Sequence, residues 1–300
     1  NEAFTGSATP ANNTGSHNVT FGTQAGKAIT SGNKNILLGC HAGKLLTTGS
    51  ENIAMGELAM GGAATTGSYN FAVGNGAGYN ITSGTFNIFM GGAGYCNQGG
   101  SYNIFLGNGA GKCSTSYNNV VIIGRGAGRC NSASTNNFIG AYSGCKITGG
   151  GNVALGHKAL GGAGNAGDGG HNVAIGYYAG GSLTDGDRNT FLGQYAGNTN
   201  TTGCCNIAIG YDVELSSATG NSQLAIGAGT NRWLTGDSSY NIILGHNEGR
   251  TINGHSPRLQ LSGTDHSKST VSIINNAADA TGAYLFFTKQ RSGSASGDSA

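Results

Sequence analysis

Apolar residues in this chain come in short, evenly spaced bursts. Each burst opens on Asn, runs through three mostly apolar residues and closes on Gly, as in NVTFG, NILLG, NIAMG, NFAVG, NIFLG, NVALG, NVAIG and NIAIG. The closing glycines are Gly22, Gly39, Gly56, Gly74, Gly91, Gly107, Gly124, Gly140, Gly156, Gly176, Gly193, Gly210, Gly227 and Gly245, at intervals of 16 to 20 residues, mostly 17. Val, Ile and Phe favour strands, and a burst of this length is a normal strand. A segment of the form x-x-Ala-Gly follows (CHAG, NGAG, YYAG), then a Ser/Thr-Gly turn (ITSG, LTTG, ATTG) leads to the next Asn. Glycine is expected at these two corners because they need positive φ or close backbone approach. Self-similarity at such a period marks a stacked coil. The pattern predicts an all-β fold, a β-roll or β-solenoid of about fourteen 17-residue rungs over residues 1–250. At about 4.8 Å per rung, fourteen rungs make a rod of roughly 65 Å.

Side chains alternate across a strand. The first and third residues of each burst are large (Val19 and Phe21, Ile53 and Met55, Val173 and Ile175), and this face is expected to be the core of the coil. The middle residue is apolar as well (Ala54, Phe89, Phe105, Ile122, Phe191). A strand with one wet face would be polar there, so both faces are expected to be covered. A thin coil covers only one, which predicts packing on copies of the same chain, most simply as a homotrimer. Asn18, Asn35, Asn52, Asn70, Asn87 and Asn103 open successive bursts. Stacked amides that bond rung to rung and cap the turn account for them better than a ligand site, because the residue recurs in almost every rung.

Composition sharpens this picture. Gly is 58 of 300 residues, Pro only 2, and charged residues 9%, against about 7% Gly and 25% charged in ordinary domains. Collagen is excluded, because Gly has no strict three-residue period and Pro is scarce. Disorder is excluded by 37% apolar residues and a net charge of +2. The same near-neutral charge argues against nucleic acid as a partner. No run approaches the roughly 18 apolar residues of a membrane span, so membrane insertion is not expected. The chain opens on Asn1 without a basic and apolar leader, and is expected to be a processed or partial product.

The stretch SYNIFLGNGAGKCSTSYNNVVIIGRGAGRC repeats even its cysteine. Cys96, Cys113, Cys130 and Cys145 follow successive corners and are expected to line up along the rod, where neighbours are near enough for disulfides between rungs or chains, or form a row of free thiols. With seven cysteines, at least one stays free or pairs between chains. No histidine keeps step with them, so no metal site or cofactor is expected. Tyr69, Phe86 and Tyr102 precede the strand Asn in successive rungs, with Tyr117 nearly in line, and Tyr142, Tyr178 and Tyr195 recur two residues after the strand Gly. Trp233 falls in a stretch that reads as an irregular loop. Rings of this kind seal contacts between rungs and chains or stack on sugars, which makes Tyr69, Phe86, Tyr102 and Trp233 the candidate glycan contacts. The acidic pairs Asp185/Asp187 and Asp212/Glu214 read as loop solvation rather than as the two facing carboxylates of a glycosidase. GNGAG and GRGAG imitate phosphate loops but recur as corners, and HExxH, GxSxG and a P-loop are missing. Rows of Thr are too irregular for ice binding. No enzymatic activity is expected.

Past Gly245 the rhythm stops, and PRLQLSG, STVSIIN and GAYLFFTKQRSG predict a second, small β region over residues 251–300. The unit seen in NVAIGYYAG resembles the repeats of trimeric autotransporter adhesin heads, which form trimeric β-rolls. The whole chain is similar to bacteriophage tail fibres with N-x-x-I-G-x-x-A-G repeats. In those fibres a segment like TGAYLFFTKQRSGSASGDSA leads into an endosialidase-type chaperone that guides trimerisation and cleaves itself off. This resemblance implies a tail-fibre shaft in a virion, with itself, other tail proteins and a host-surface glycan or protein receptor as partners. The alternative is a cellular trimeric surface adhesin or extracellular filament subunit.

Overall fold

A computed structural model of the chain describes residues 14–113, 115–161, 168–239 and 242–244. The expected β region over 251–300 lies outside the described residues. Within them there is no helix. Thirteen short strands stack in order: β1 (Val19–Phe21), β2 (Ile36–Leu38), β3 (Ile53–Met55), β4 (Phe71–Val73), β5 (Ile88–Met90), β6 (Ile104–Leu106), β7 (Val121–Ile123), β8 (Asn137–Ile139), β9 (Val153–Leu155), β10 (Val173–Ile175), β11 (Thr190–Leu192), β12 (Ile207–Tyr211) and β13 (Leu224–Ala228). Each pairs in parallel with the next, with burst matched to burst: Ile53 lies beside Phe71, Ala54 beside Ala72 and Met55 beside Val73. The chain is thus a β-solenoid of twelve turns between β1 and β13.

The coil stops before the fourteenth repeat. After Gly229 (φ +55°) the chain reverses, and β14 (Asn231–Gly236) pairs antiparallel with β13. β15 (Ile242–Leu244) then pairs antiparallel with β14. Ile242–Leu244, which keep the spacing of the apolar bursts, are therefore a hairpin strand and not a rung.

The faces of the strands are the reverse of the expected ones. The middle residue points into the coil: Leu37, Ala54, Ala72, Phe89, Phe105, Ile122, Phe138, Ala154, Ala174, Phe191 and Ala208 are fully buried. The larger flanking residues point out, with Val19, Phe21, Met55, Leu155 and Leu192 among the exposed apolar side chains. The inward Asn fixes this. It is buried in rung after rung, and alternation from an inward Asn puts the second residue after it inside and the first and third outside.

A narrow interior also explains which residue goes inside. The second column of the core is alanine (Ala25, Ala42, Ala59, Ala77, Ala93, Ala110, Ala127), and in several turns volume is traded between strand and corner. Where the strand offers Ala54 or Ala154, the next corner offers buried Met60 or Leu160. Where it offers Phe89, Phe138 or Phe191, the corner offers Gly94, Gly144 or Gly197, at which an added Cβ would lie 2.3–2.4 Å from the ring. Where Ala72 and Ala174 meet Gly78 and Gly180 instead, the ring of Phe89 or Phe191 in the next rung would lie 2.7 or 2.5 Å from an added Cβ, so close packing is met between rungs as well as within them.

The corners use left-handed backbone at non-glycine residues. Those just before the ladder position, among them Lys34, Glu51, Tyr69, Phe86, Tyr102, His171 and Arg188, have φ between 56° and 61°. Each is held by a backbone bond to the preceding turn, such as Tyr69 N–H to Ser50 O at 3.0 Å and Glu51 N–H to Asn33 O at 2.9 Å. The turn glycines Gly32, Gly49, Gly67 and Gly84 do not have positive φ. They are small because an added Cβ would meet the next turn's carbonyl oxygen at 2.0–2.3 Å.

Candidate functional site

The buried amides form a continuous internal ladder. Asn52 Nδ2 donates to Asn35 Oδ1 (3.1 Å) and to the turn carbonyl of Gly67 (3.0 Å). Its Oδ1 accepts from the backbone N–H (2.9 Å) and Nδ2 (3.0 Å) of Asn70. Asn18 accepts from Asn35 in the same way, and Asn87 and Asn103 continue the series. Val120 interrupts it, and its N–H donates to Asn103 Oδ1 at 3.2 Å. In the next rung Asn136 turns its Nδ2 to Asn131 Oδ1 instead (2.8 Å). These amides are inside the coil and bonded to one another, so they hold the rod together and face no ligand.

Outside, the first and third strand residues make a largely apolar stripe along the parallel sheet, interrupted by the polar Asn137 of β8 and Thr190 of β11. No charged side chain occurs at these positions from β1 to β12. A second feature runs along one corner, where Tyr69, Phe86 and Tyr102 stack face to face at 4.6 and 5.2 Å, all exposed. Tyr117 does not join them. It sits where other rungs have the turn glycine, is 1% exposed, and packs against Phe105 at 5.8 Å. Its backbone carbonyl takes the bond from Asn103 Nδ2 that a glycine carbonyl takes elsewhere. Trp233 lies on strand β14 rather than in a loop and is 69% exposed. It is far along the chain from the other three candidate rings.

Cys96, Cys113 and Cys130 occupy one corner in three consecutive turns. Backbone bonds run through it, from Cys96 N–H to Lys112 O (3.1 Å) and from Cys113 N–H to Arg129 O (2.7 Å). All seven cysteines are free thiols. Burial pushes the Cys130 thiol above its ordinary value, with the hydrogen bond it donates to Cys113 and the proximity of that thiol adding to it. Burial likewise raises Cys145, against the opposing pull of Lys146 and Arg129. Such a thiol is protonated at neutral pH and a weak nucleophile. Alkylation of Cys145 by iodoacetamide should therefore keep accelerating above pH 9, the ordinary midpoint. Peptide mapping by mass spectrometry reads this rate, and a plateau below pH 9 would contradict the assignment.

The acidic pairs are taken up by the fold. Asp187 Oδ1 accepts the N–H of Gly170 (2.6 Å) and Glu214 Oε2 that of Thr199 (3.0 Å), each across one turn. Among the described residues no group of three or more His, Cys, Asp or Glu side chains is placed to hold a metal. Nor is any helix there long and apolar enough to cross a membrane.

One surface feature was not singled out from the sequence. The corner segments GNGAGK and GRGAGR stack, and Asn108, Gly109, Lys112, Arg125, Gly126, Arg129 and Tyr142 line a notch of about 190 Å³. Arg125 lies over the ring of Tyr142 at 5.2 Å. The ring column continues past it: Lys158 donates to Tyr178 Oη, and Tyr178 stacks on Tyr195 at 5.6 Å. The signal in the sequence was a lack of acid. No Asp or Glu occurs between Glu57 and Asp168.

No protein-family model, curated protein or solved structure matches this chain.

Proposed function

We propose that the chain is the non-catalytic shaft of an extracellular attachment fibre, a bacteriophage tail fibre, in which three copies pack along their apolar strand faces. The exposed apolar stripe carries this reading. Twelve steps of about 4.8 Å and a width of about 10 Å give roughly 600 Å² per chain, so a pair of such faces buries about 1,200 Å². That reaches the lower bound of specific interfaces. The stripe lacks charge, repeats with the rung spacing and is therefore self-complementary under a common rotation axis. A stripe this long would be an aggregation hazard on a free chain, and a closed assembly removes it. The resemblance to tail fibres and adhesin heads supplies the biological setting, with a host-surface receptor and other tail proteins as partners.

Native mass measured by light scattering or mass spectrometry tests the assembly. The expected value is three chains, with and without reductant if no disulfide joins them. The double variant Leu155→Lys/Leu192→Lys puts two charges in the second half of the stripe on side chains that are 40% and 44% exposed, and should shift the mass to one chain with the β signal retained. A monodisperse single chain for the unaltered protein at micromolar concentration would overturn the reading.

A further inference from the structure

Between β4 and Lys158, in the corner after β9, the chain contains no carboxylate but carries Lys112, Arg125, Arg129, Lys146 and Lys158. Five steps of about 4.8 Å make this stretch about 24 Å long, several times the screening length of about 8 Å in physiological salt. The carboxylates at its two ends, Glu57 bonded to Asn75 and Asp168 bonded to Thr148, lie two or more turns from the corners after β6 and β7. Within it the coil pitch brings three of these cations to one place. Arg125 follows the strand glycine of its rung, while Lys112 and Arg129 sit at matching corners of two consecutive rungs. Gly109 and Gly126 leave the floor open between them, and nothing lies within 4 Å of where a Cβ on Gly109 would be. Tyr142 forms one wall and holds the Arg125 guanidinium over its face. The cavity, about 190 Å³, has room for an anionic group together with part of the residue that bears it.

We propose that this notch binds the carboxylate or sulfate group of an acidic polysaccharide, with Lys112, Arg125 and Arg129 as the anion ligands. Guanidinium forks match planar and tetrahedral oxyanions in two-point contacts, and two of the three cations are arginines. Single-stranded nucleic acid fits less well, because its sites present open aromatic faces for the bases. Here the face of Tyr142 is covered by Arg125, and Tyr178 and Tyr195 lie against each other. Rings covered in this way leave edges rather than faces to a ligand, which suits a sugar chain better than a base. The assignment deepens the attachment role proposed above and takes its biological setting from it, but it stands on the notch alone.

The experiment is binding of fluorescent dextran sulfate, polygalacturonate, neutral dextran and a single-stranded oligonucleotide to the full chain at low salt. At least one of the two acidic polysaccharides should bind and neutral dextran should not, and the better one identifies sulfate or carboxylate as the group read. Arg125→Gln/Arg129→Gln should weaken binding on the order of tenfold per lost charge-assisted bond. Lys27→Gln/Lys44→Gln makes the same charge change at the same corner several turns away and should leave binding within about twofold. Gly109→Asn, a residue tolerant of the left-handed φ of +70°, fills the floor without changing charge and should also weaken it. All of these side chains are at the surface, so a thermal melt should show each variant folded. Equal losses in the two double variants would show diffuse attraction and overturn the proposal. An oligonucleotide bound as tightly, with the same dependence on Arg125 and Arg129, would overturn the polysaccharide assignment. A three-chain assembly that binds neither polysaccharide would overturn the notch and leave the fibre reading. A single chain with notch-dependent binding would do the reverse.

Discussion

Replacing Gly193 by Ala should break the rod at β11, at a cost of about 4 kcal/mol or more. Gly193 closes its strand with φ +125°, and an added Cβ would lie 2.2 Å from the carbonyl oxygen of Gly210 and 2.7 Å from its carbon. Both atoms are backbone, so no side chain can swing away. The neighbouring turn would have to retreat by about an ångström to restore van der Waals contact. That retreat would break the parallel bonds that hold β11 to β12, such as Thr190 N–H to Asn206 O at 2.8 Å. The φ value adds its own cost, since it lies outside the left-handed island open to other residues. Gly109→Ala is the matched control. It too has positive φ, +70°, but nothing stands within 4 Å of the new Cβ. Its cost should be that of one left-handed alanine, about 1 kcal/mol. In a stacked array each turn contacts only its neighbours, so the damage from Gly193→Ala should be local. Hydrogen exchange should rise in β10 to β12 and leave β2 to β5 protected. Equal denaturation midpoints for the two variants would show that the glycine column is not set by close approach.

The period and the ladder were legible in the sequence because both are one-dimensional. A 17-residue spacing survives any folding of the coil, and an Asn that opens nearly every burst can only stack on its equivalents. The direction of the strand faces was not legible from size. Ile53 and Met55 outweigh Ala54, yet Ala54 is the buried one. The deciding fact is that Asn52 points inward, and burial of an amide depends on bonds to Asn35, Gly67 and Asn70 that lie in three different turns. The exchange of Phe89 for Ala54 looks like noise along the chain. It makes sense only beside the exchange of Gly94 for Met60 at the facing corner, where one side gives up the volume the other takes. The end of the coil was misread for a related reason: the burst at Ile242–Leu244 keeps the spacing, while the reversal after Gly229 changes the direction of pairing. The notch was hidden by the same geometry that builds it. Lys112, Arg125 and Arg129 hold two different positions within the repeat, and only the pitch of the coil brings them together.

Asn52→Asp should be nearly as costly as the glycine change, and its cost should depend on pH. The substitution preserves shape and keeps the oxygen that accepts from the Asn70 backbone N–H (2.9 Å) and Nδ2 (3.0 Å). It removes both donations, to Asn35 Oδ1 at 3.1 Å and to Gly67 O at 3.0 Å, and faces those oxygens with another oxygen. The site is fully buried, so a carboxylate there is both desolvated and set against two acceptors. A loss of roughly 3–5 kcal/mol at pH 7 follows from an uncompensated buried charge and two unmade bonds. The protonated acid is better placed, because its O–H can restore one donation. Burial and the facing oxygens therefore raise the folded-state pKa of the new side chain above its unfolded value of about 3.9. For a group raised in this way, stability is greatest below the unfolded value and falls as pH rises through the folded one. The deficit relative to the unaltered protein should thus be smaller at pH 4 than at pH 7, measured as paired urea midpoints at each pH. The ladder's natural gap shows what tolerance looks like: at Val120 no charge is buried, and Asn136 finds Asn131 as a substitute partner. Around Asn52 both neighbouring rungs, Asn35 and Asn70, already spend their amides on the ladder and on turn carbonyls, so no such substitute is at hand. A deficit that is the same at both pH values would mean that the ladder excludes the carboxyl by shape and not by hydrogen-bond sense and charge.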